Sequence, residues 1–245
     1  INSPNSTQNI FLDLRQGGHS YEGQKSTYIT AAKQLTISHG SNIENVQTGS
    51  GNDTVIGNDL PNIINSGDGD DVIFAGEGED IVYSGAGKDK IDLSEDLNVI
   101  DIIVLQETSG EQYYDTVYGF TQGISGDVLD ISDLDLPSLT SLPLVDSLNV
   151  PFGYIDNCLV QVFGKDLSDV NSVTDAFRYS GDLEKLQLSS GKKSVLITSG
   201  SQETGDAQNV YYIQQNIDIL EVQHLFQLVG NYLYIESWSI DNFLV

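Results

Sequence analysis

From Thr48 to Asp92 the chain divides without a gap into five nonapeptides: TGSGNDTVI, GNDLPNIIN, SGDGDDVIF, AGEGEDIVY and SGAGKDKID. Position two reads Gly49, Asn58, Gly67, Gly76, Gly85, and position four reads Gly51, Leu60, Gly69, Gly78, Gly87. Position six is Asp53, Asn62, Asp71, Asp80, Asp89, and position eight is Val55, Ile64, Ile73, Val82, Ile91. An irregular sixth unit, HGSNIENVQ, precedes them with Gly40, Glu44 and Val46 in the matching places. A period this short constrains the fold more than any other feature, because one repeat cannot bury its apolar residue without a stacked neighbour.

Each position has a chemical reason. Glycine allows the turn to take positive φ and brings backbone carbonyls near a common point. A turn of this kind ending in Asp offers carboxylate and carbonyl oxygens together, the donors that calcium takes in sets of six to eight. The three residues after the Asp suit a short strand whose middle apolar side chain points inward. A Gly/Asp-rich linker would not keep Val or Ile at every ninth place.

The repeat is similar to the G-G-x-G-x-D-x-U-x pattern of RTX proteins. That resemblance implies a parallel β-roll in which two nonapeptides make one turn, so loops 18 residues apart share an edge. One edge is expected to stack Asp53, Asp71 and Asp89, and the other Glu44, Asn62 and Asp80, with an ion between successive loops. Gly49, Gly51, Gly67, Gly69, Gly76, Gly78, Gly85 and Gly87 are the expected carbonyl donors. GNDLPNIIN is degenerate, and its site is expected to be weaker or to use Asp59. Two carboxylates ~5 Å apart repel by roughly 3 kcal/mol at an effective dielectric near 20, so several Ca2+ ions are expected to be obligatory for folding.

A second resemblance extends beyond the repeats. IFLDLRQGGHS and LTISHGSNIENVQTGSGNDTVIGND resemble the start of the serralysin-type (peptidase M10) C-terminal domain, well over Ile10–Ser94 and more loosely through Tyr113–Asp135. It implies a roll packed against an antiparallel sheet, multiple calcium ions and export by a type I (ABC) secretion apparatus. By that likeness Asp115, Asp127 and Asp130 would line a further calcium site or cap the roll; a polar hairpin with solvated acids is the other reading. The protease itself has no counterpart here. HExxH is absent, His19, His39 and His224 are scattered, there is no Met, and Cys158 has no paired His and acid. No enzyme is expected.

Charge narrows the partners. With 36 acidic against 10 basic residues the formal net is −26, which disfavours nucleic acid and anionic membranes and suits cations. Between Gln34 and Gly87 there is no Lys or Arg, while nine acids recur in register. One cysteine forbids an intrachain disulfide, so another agent must hold an exported chain together. No apolar run approaches a membrane span. INSPNSTQN lacks the regions of a signal peptide, and Ile1 reads as a cut start, with the chain the end of something longer.

The fold expected is mainly β: the roll, flanked by antiparallel sheet, with one or two short helices near the C-terminus. We divide it at 1–145, the roll with its flanking strands, and 146–245, a β-rich secretion region. Ile10–Gly18, Ser26–Ile37, CLVQVF, SVLITSG, NVYYIQQ and NYLYIES read as strands. Ser168–Tyr179 reads as a helix bearing Val170, Val173 and Phe177 on one face. Ile219–Val229 reads as another, with Val222, Leu225, Phe226 and Val229, a box-like start at Asp218 and Glu221, and Gly230 as stop. The stretch SVLITSG to HLFQLVG resembles the tail of type I secreted adhesins and surface proteins. The ending DNFLV resembles an uncleaved type I signal, and a final core strand is compatible with it.

The function these features point to is a calcium-dependent folding and export module of a secreted or cell-surface bacterial protein. The alternative is a calcium-bridged structural domain of a surface lattice or adhesin, with self-association or cell-surface contacts. Ice binding would need a flat rank of Thr or Asn, which Ser50/Asn52, Asp68/Asp70 and Ala86/Lys88 do not form.

Overall fold

The computed structural model describes residues 1–28, 30–95, 99–106, 114–122, 125–134, 136, 139–141, 145–146, 153–163, 167, 169–177, 181, 183–199, 207–217, 219–229 and 242–244. Its strands are β1 (Ile10–Asp13), β2 (His19–Glu22), β3 (Gln34–Thr36), β4 (Asn45–Gln47), β5 (Thr54–Ile56), β6 (Ile63–Asn65), β7 (Val72–Phe74), β8 (Ile81–Tyr83), β9 (Lys90–Asp92), β10 (Ile102–Val104) and β11 (Asp115–Tyr118). They continue with β12 (Val128–Asp130), β13 (Thr140–Ser141), β14 (Val145–Asp146), β15 (Gly153–Tyr154), β16 (Cys158–Phe163), β17 (Leu186–Gln187), β18 (Lys193–Ser199), β19 (Gln208–Gln215), β20 (Leu220–Val229) and β21 (Phe243–Leu244). One α-helix, α1 (Val170–Phe177), lies inside the segment expected to be helical.

Each nonapeptide ends in a three-residue strand, and on a strand this short the alternation of faces puts only the middle side chain inside. Val55, Ile64, Ile73, Val82 and Ile91 are fully buried. Odd repeats stack in one sheet, Val55 over Ile73 over Ile91, and even repeats in the other, Ile64 over Val82, all in parallel. The roll is present, with the 18-residue offset on each face. It also runs beyond the repeats. β10 and β12 extend one sheet and β11 the other, burying Ile103, Leu129 and Val117. At the opposite end β1 stacks in parallel on β5, and β4 on β6.

Antiparallel pairing flanks the roll on both sides: β1, β2 and β3 at one end, and β18, β19 and β20 at the other. Among the described residues the larger sheet has thirteen strands, ordered β13-β16-β18-β19-β20-β11-β9-β7-β5-β1-β2-β3 with β14 also on β16. The smaller has six, ordered β21-β12-β10-β8-β6-β4. Phe226–Val229 of β20 pair in parallel with β11, which carries the roll's sheet into the C-terminal strands. A second core lies there, with Val160, Val162, Leu196, Tyr211 and Ile213 packed against Val173 and Ala176 of α1.

Two expectations are corrected. Ile219–Val229 is not a helix but contains the strand β20. Its pairing with β19 jumps from Val210–Phe226 to Tyr211–His224, leaving Leu225 as an extra residue. Such a bulge adds one position to the two-residue alternation. The alternation therefore shifts at Leu225, and the buried Leu225 and Phe226 with the partly buried Val222 and Val229 acquire helix-like spacing. Among the described residues of Ser26–Ile37 only Gln34–Thr36 is strand. NYLYIES, Asp218 and Gly230 lie outside the described residues.

Ile73→Ala should cost about 2–5 kcal/mol, as a fully buried methylene cluster lost from a tight spine. Ile63→Ala, on the outer face of β6 and 44% exposed, should cost less than about 1 kcal/mol. Denaturant unfolding in saturating calcium measures both.

Candidate metal centre

The acids of position six form two ladders along the edges of the roll. On the first edge the Asp53 N–H donates to Asp71 Oδ1 (2.7 Å), the Asp71 N–H to Asp89 Oδ1 (2.8 Å), and the Asp89 N–H to Asp115 Oδ1 (3.0 Å). On the second the Asn62 N–H donates to Asp80 Oδ1 (2.7 Å), the Asp80 N–H to Asp101 Oδ1 (2.9 Å), and the Asp101 N–H to Asp127 Oδ1 (2.9 Å). All eight rung residues are buried. Each carboxylate is thus satisfied on one oxygen by the rung above it.

The second oxygen divides the rungs into two kinds. At the ladder ends it has a donor. Asp53 Oδ2 accepts from the Gly49 N–H, Asp115 Oδ2 from the Ser84 hydroxyl, and Asp127 Oδ2 from the Thr121 N–H. Asn62 ends its ladder differently: its amide donates to the Ile43 carbonyl and its Oδ1 accepts from the Asn58 N–H. In the interior, Oδ2 of Asp71, Asp80, Asp89 and Asp101 is buried with no hydrogen-bond partner. A buried carboxylate oxygen left bare costs several kcal/mol unless a cation or proton meets it.

Electrostatics reflects that cost. Burial pushes the Asp71 and Asp101 carboxyls up to about 7 and that of Asp80 to about 8. Burial also raises Asp89 and its ladder neighbour Asp115, and their mutual charge adds to the shift of Asp89. Asp127, with two backbone donors against the same burial, rises only to about 6.

The loops that carry these acids are held at close quarters by backbone. The Asp68 N–H donates to the Gly49 carbonyl and the Ala86 N–H to the Gly67 carbonyl. A Cβ on Gly67 (φ +88°) would lie 2.0 Å from the Gly49 oxygen, and one on Gly85 (φ +90°) 1.7 Å from the Gly67 oxygen. Position two therefore admits no side chain at these turns. Hydroxyls at position one add a parallel ladder, Thr48 to the Ser66 carbonyl and Ser66 to the Ser84 carbonyl.

The expected residues fall into three groups. Asp53, Asn62, Asp71, Asp80 and Asp89, with Asp115 and Asp127, occupy rungs, and the expected glycines at positions two and four line the turns between them. Glu44 is exposed, and only its carbonyl joins the stack, accepting from the Ile63 N–H. Asp59 is also exposed, and Asp130 sits at the end of β12 and accepts from the Ser132 N–H, away from the ladders. Asp101 escaped the sequence reading, as did the first turn of the roll. Asn5–Asp13 stacks like a nonapeptide, with the Ser50 N–H on the Ser6 carbonyl and the Ile10 N–H on Asp53 Oδ1. The signal for Asp101 was Asp-x-apolar alone, as in Asp101-Ile102-Ile103, Asp115-Thr116-Val117 and Asp127-Val128-Leu129.

Among the described residues no three His, Cys, Asp or Glu side chains converge on one point as a ready metal site. The oxygens that could hold an ion are instead the rung carboxylates and the facing loop carbonyls, all hard donors of the kind that suits calcium. The bare Oδ2 atoms are where such an ion fits. His224 is no part of it: it packs between Tyr114 (3.8 Å) and Tyr211 (4.4 Å), and burial lowers its pKa to about 4.

Residues 40–59 and 56–91 match the RTX calcium-binding nonapeptide repeat, in four copies. This segment is an RTX calcium-binding repeat region, a structural rather than catalytic module, and its repeats bind calcium ions. No curated protein matches the chain.

Asp71→Ala should lower calcium stoichiometry, because its bare oxygen is lost, whereas Asp53→Ala removes a carboxylate whose oxygens are both hydrogen-bonded. Calorimetric titration distinguishes them, and equal stoichiometry in the two would contradict the assignment. The ladders also set a pH dependence. Their interior acids bind protons more readily folded than unfolded, so without calcium stability is greatest in mild acid and falls as pH rises through about 7 to 8. Circular dichroism of the calcium-free chain should show strand content rising as pH falls from 8 to 5, with calcium affinity moving the opposite way.

Proposed function

We propose that the chain is a calcium-dependent folding and type I export module of a larger secreted bacterial protein. The observation that carries this reading is the set of bare, buried carboxylate oxygens on rungs 18 residues apart. In the nonapeptides three intervals have one: Asp53/Asp71, Asp71/Asp89 and Asn62/Asp80. Each would take one calcium ion. Without ions, stacked acids ~4.8 Å apart repel, and a net charge of −26 keeps the chain open. With them, each ion at ten times its dissociation constant adds ~1.4 kcal/mol by mass action.

Export follows from where calcium is scarce and where it is not. An acidic chain that stays unfolded at low cytoplasmic calcium can thread an ABC transporter, then fold outside at the ~0.1–1 mM range of extracellular modules. The serralysin-like stretch Ile10–Ser94 and the adhesin-like tail support this partner. In this reading residues 1–145 carry the folding switch and 146–245 the export region. No helix among the described residues is long and apolar enough to cross a membrane. A calcium-bridged surface-lattice or adhesin role uses the same chemistry, and calcium-dependent oligomerisation of the purified chain would favour it.

The test joins folding with secretion. Chelation should remove most β signal from the roll, calcium should restore it, and magnesium, which prefers tight octahedra, should not. Removing Asp241–Val245 should sharply lower secretion of a fused reporter while calcium-dependent folding survives. Because Phe243 is buried against the roll, Phe243→Ala is the control, with a loss of roughly 1.5–3 kcal/mol and normal export. A chelated sample with an unchanged spectrum would sink the folding half. Normal secretion of the truncated chain would sink the tail's signal role.

A further inference from the structure

The second ladder continues past the nonapeptides into a loop built on other principles. From Asp80 to Asp101 the spacing is 21 residues instead of the 18 between Asn62 and Asp80. The loop sequence LSEDLNVID contains no glycine, so the carbonyl-presenting turn of the repeats is not available to it. In a regular turn the Gly69 N–H donates to the Ala86 carbonyl of the loop below, at 2.7 Å. Gly78 is the matching position on the second edge. Its N–H donates instead to Glu95 Oε2 (3.3 Å), and the Val99 N–H donates to Glu95 Oε1 (3.4 Å). A side-chain carboxylate accepts here from an N–H whose counterpart at Gly69 gives to a backbone carbonyl.

Asp101 completes the picture. It is 1% exposed, its Oδ1 accepts from the Asp80 N–H, and its Oδ2 has no partner. The interval below, Asp101/Asp127, is closed by the Thr121 N–H. The bare oxygen therefore belongs to the interval between Asp80 and Asp101. We propose that this interval, with Glu95 across it, is a fourth calcium site lying outside the nonapeptide repeats.

The proposal rests on the calcium reading of the roll but makes a separate claim about rank. The Asn62/Asp80 interval has one carboxylate, and the two intervals of the first edge have two each. The Asp80/Asp101 interval has two plus Glu95, whose charge also bears on Asp80, Asp101 and Asp127. The donors are hard oxygens, and affinity in such sites rises with carboxylate count. Glu95, held by its two backbone bonds, adds a third negative charge beside the interval. The site is thus the tightest of the four and the first to fill.

Calcium titration of the full chain by calorimetry tests this, with Asp101→Asn, Glu95→Gln and, as reference, Asp71→Asn. Asparagine already occupies a rung at Asn62, so it is the mildest change at Asp101. Wild type should bind four ions, one more tightly than the rest. Asp101→Asn should lose the tightest ion and keep the others, while Asp71→Asn should keep the tightest. Glu95→Gln, which touches no rung hydrogen bond, should keep the ion count and weaken the tightest site roughly tenfold, the scale of one ligand charge removed. If Asp101→Asn fails to fold, Glu95→Gln decides. A wild-type ion count and tightest affinity in Asp101→Asn, or an unchanged tightest affinity in Glu95→Gln, would overturn the proposal with the nonapeptide sites left intact. A wild-type chain that takes up no calcium would remove the roll reading itself.

Discussion

The structure depends on a hydrogen bond that satisfies half of a carboxylate. Every rung but the last on each edge gives its backbone N–H to one oxygen of the acid on the next turn, and in the interior the other oxygen is left bare. That bond sets the separation of the turns and the burial of the acids, and with them the need for something positive between them. The apolar spine cannot meet that need alone. It supplies one Val or Ile per nonapeptide, set against a buried charge of comparable or greater cost. In the proposed reading, stability is handed to the solvent, and the concentration of a cation or of protons sets it.

The ends of the ladders differ from the interior in having their second oxygen satisfied by the protein. Where the stack stops, each end has found a donor outside the ladder: a loop N–H for Asp53, a hydroxyl for Asp115, another loop N–H for Asp127. At Asn62 the amide nitrogen does the work from within, reaching the Ile43 carbonyl. One exchange of oxygen for nitrogen turns a cation-seeking rung into a self-satisfied one. The same economy explains the N-terminal turn, where Ile10 gives its N–H to Asp53 and presents no acid of its own.

What could be read in the sequence was whatever repeated. Glycine, Asp and inward Val or Ile at fixed offsets describe local chemistry, and the two-sheet roll, its spine and five rungs follow from them. Asp101 was hidden because its loop is longer and has no glycine, although its role is unchanged. Asn5–Asp13 was hidden for the converse reason: it keeps the backbone path of a nonapeptide and an inward Leu12, but none of the glycines and no Asp at position six. β20 was misread because the extra residue Leu225 gives a strand the spacing of a helix. In each case backbone geometry, which many side chains satisfy, was decided by neighbours distant in the chain.

The strand that finishes the smaller sheet has a temporal meaning. Phe243 pairs with Leu129, and the Asn242 amide reaches the Asp127 carbonyl across 115 positions of sequence. Contacts so far apart form late, since a long loop must close before they return any energy. Until then β12 stands as an unpaired edge, with its N–H and C=O groups open to any extended segment. Two unfinished copies that meet can each lend this strand to the other, producing an exchanged pair with native contacts in the wrong molecule. Docking of Asn242 and Phe243 on β12 closes that edge.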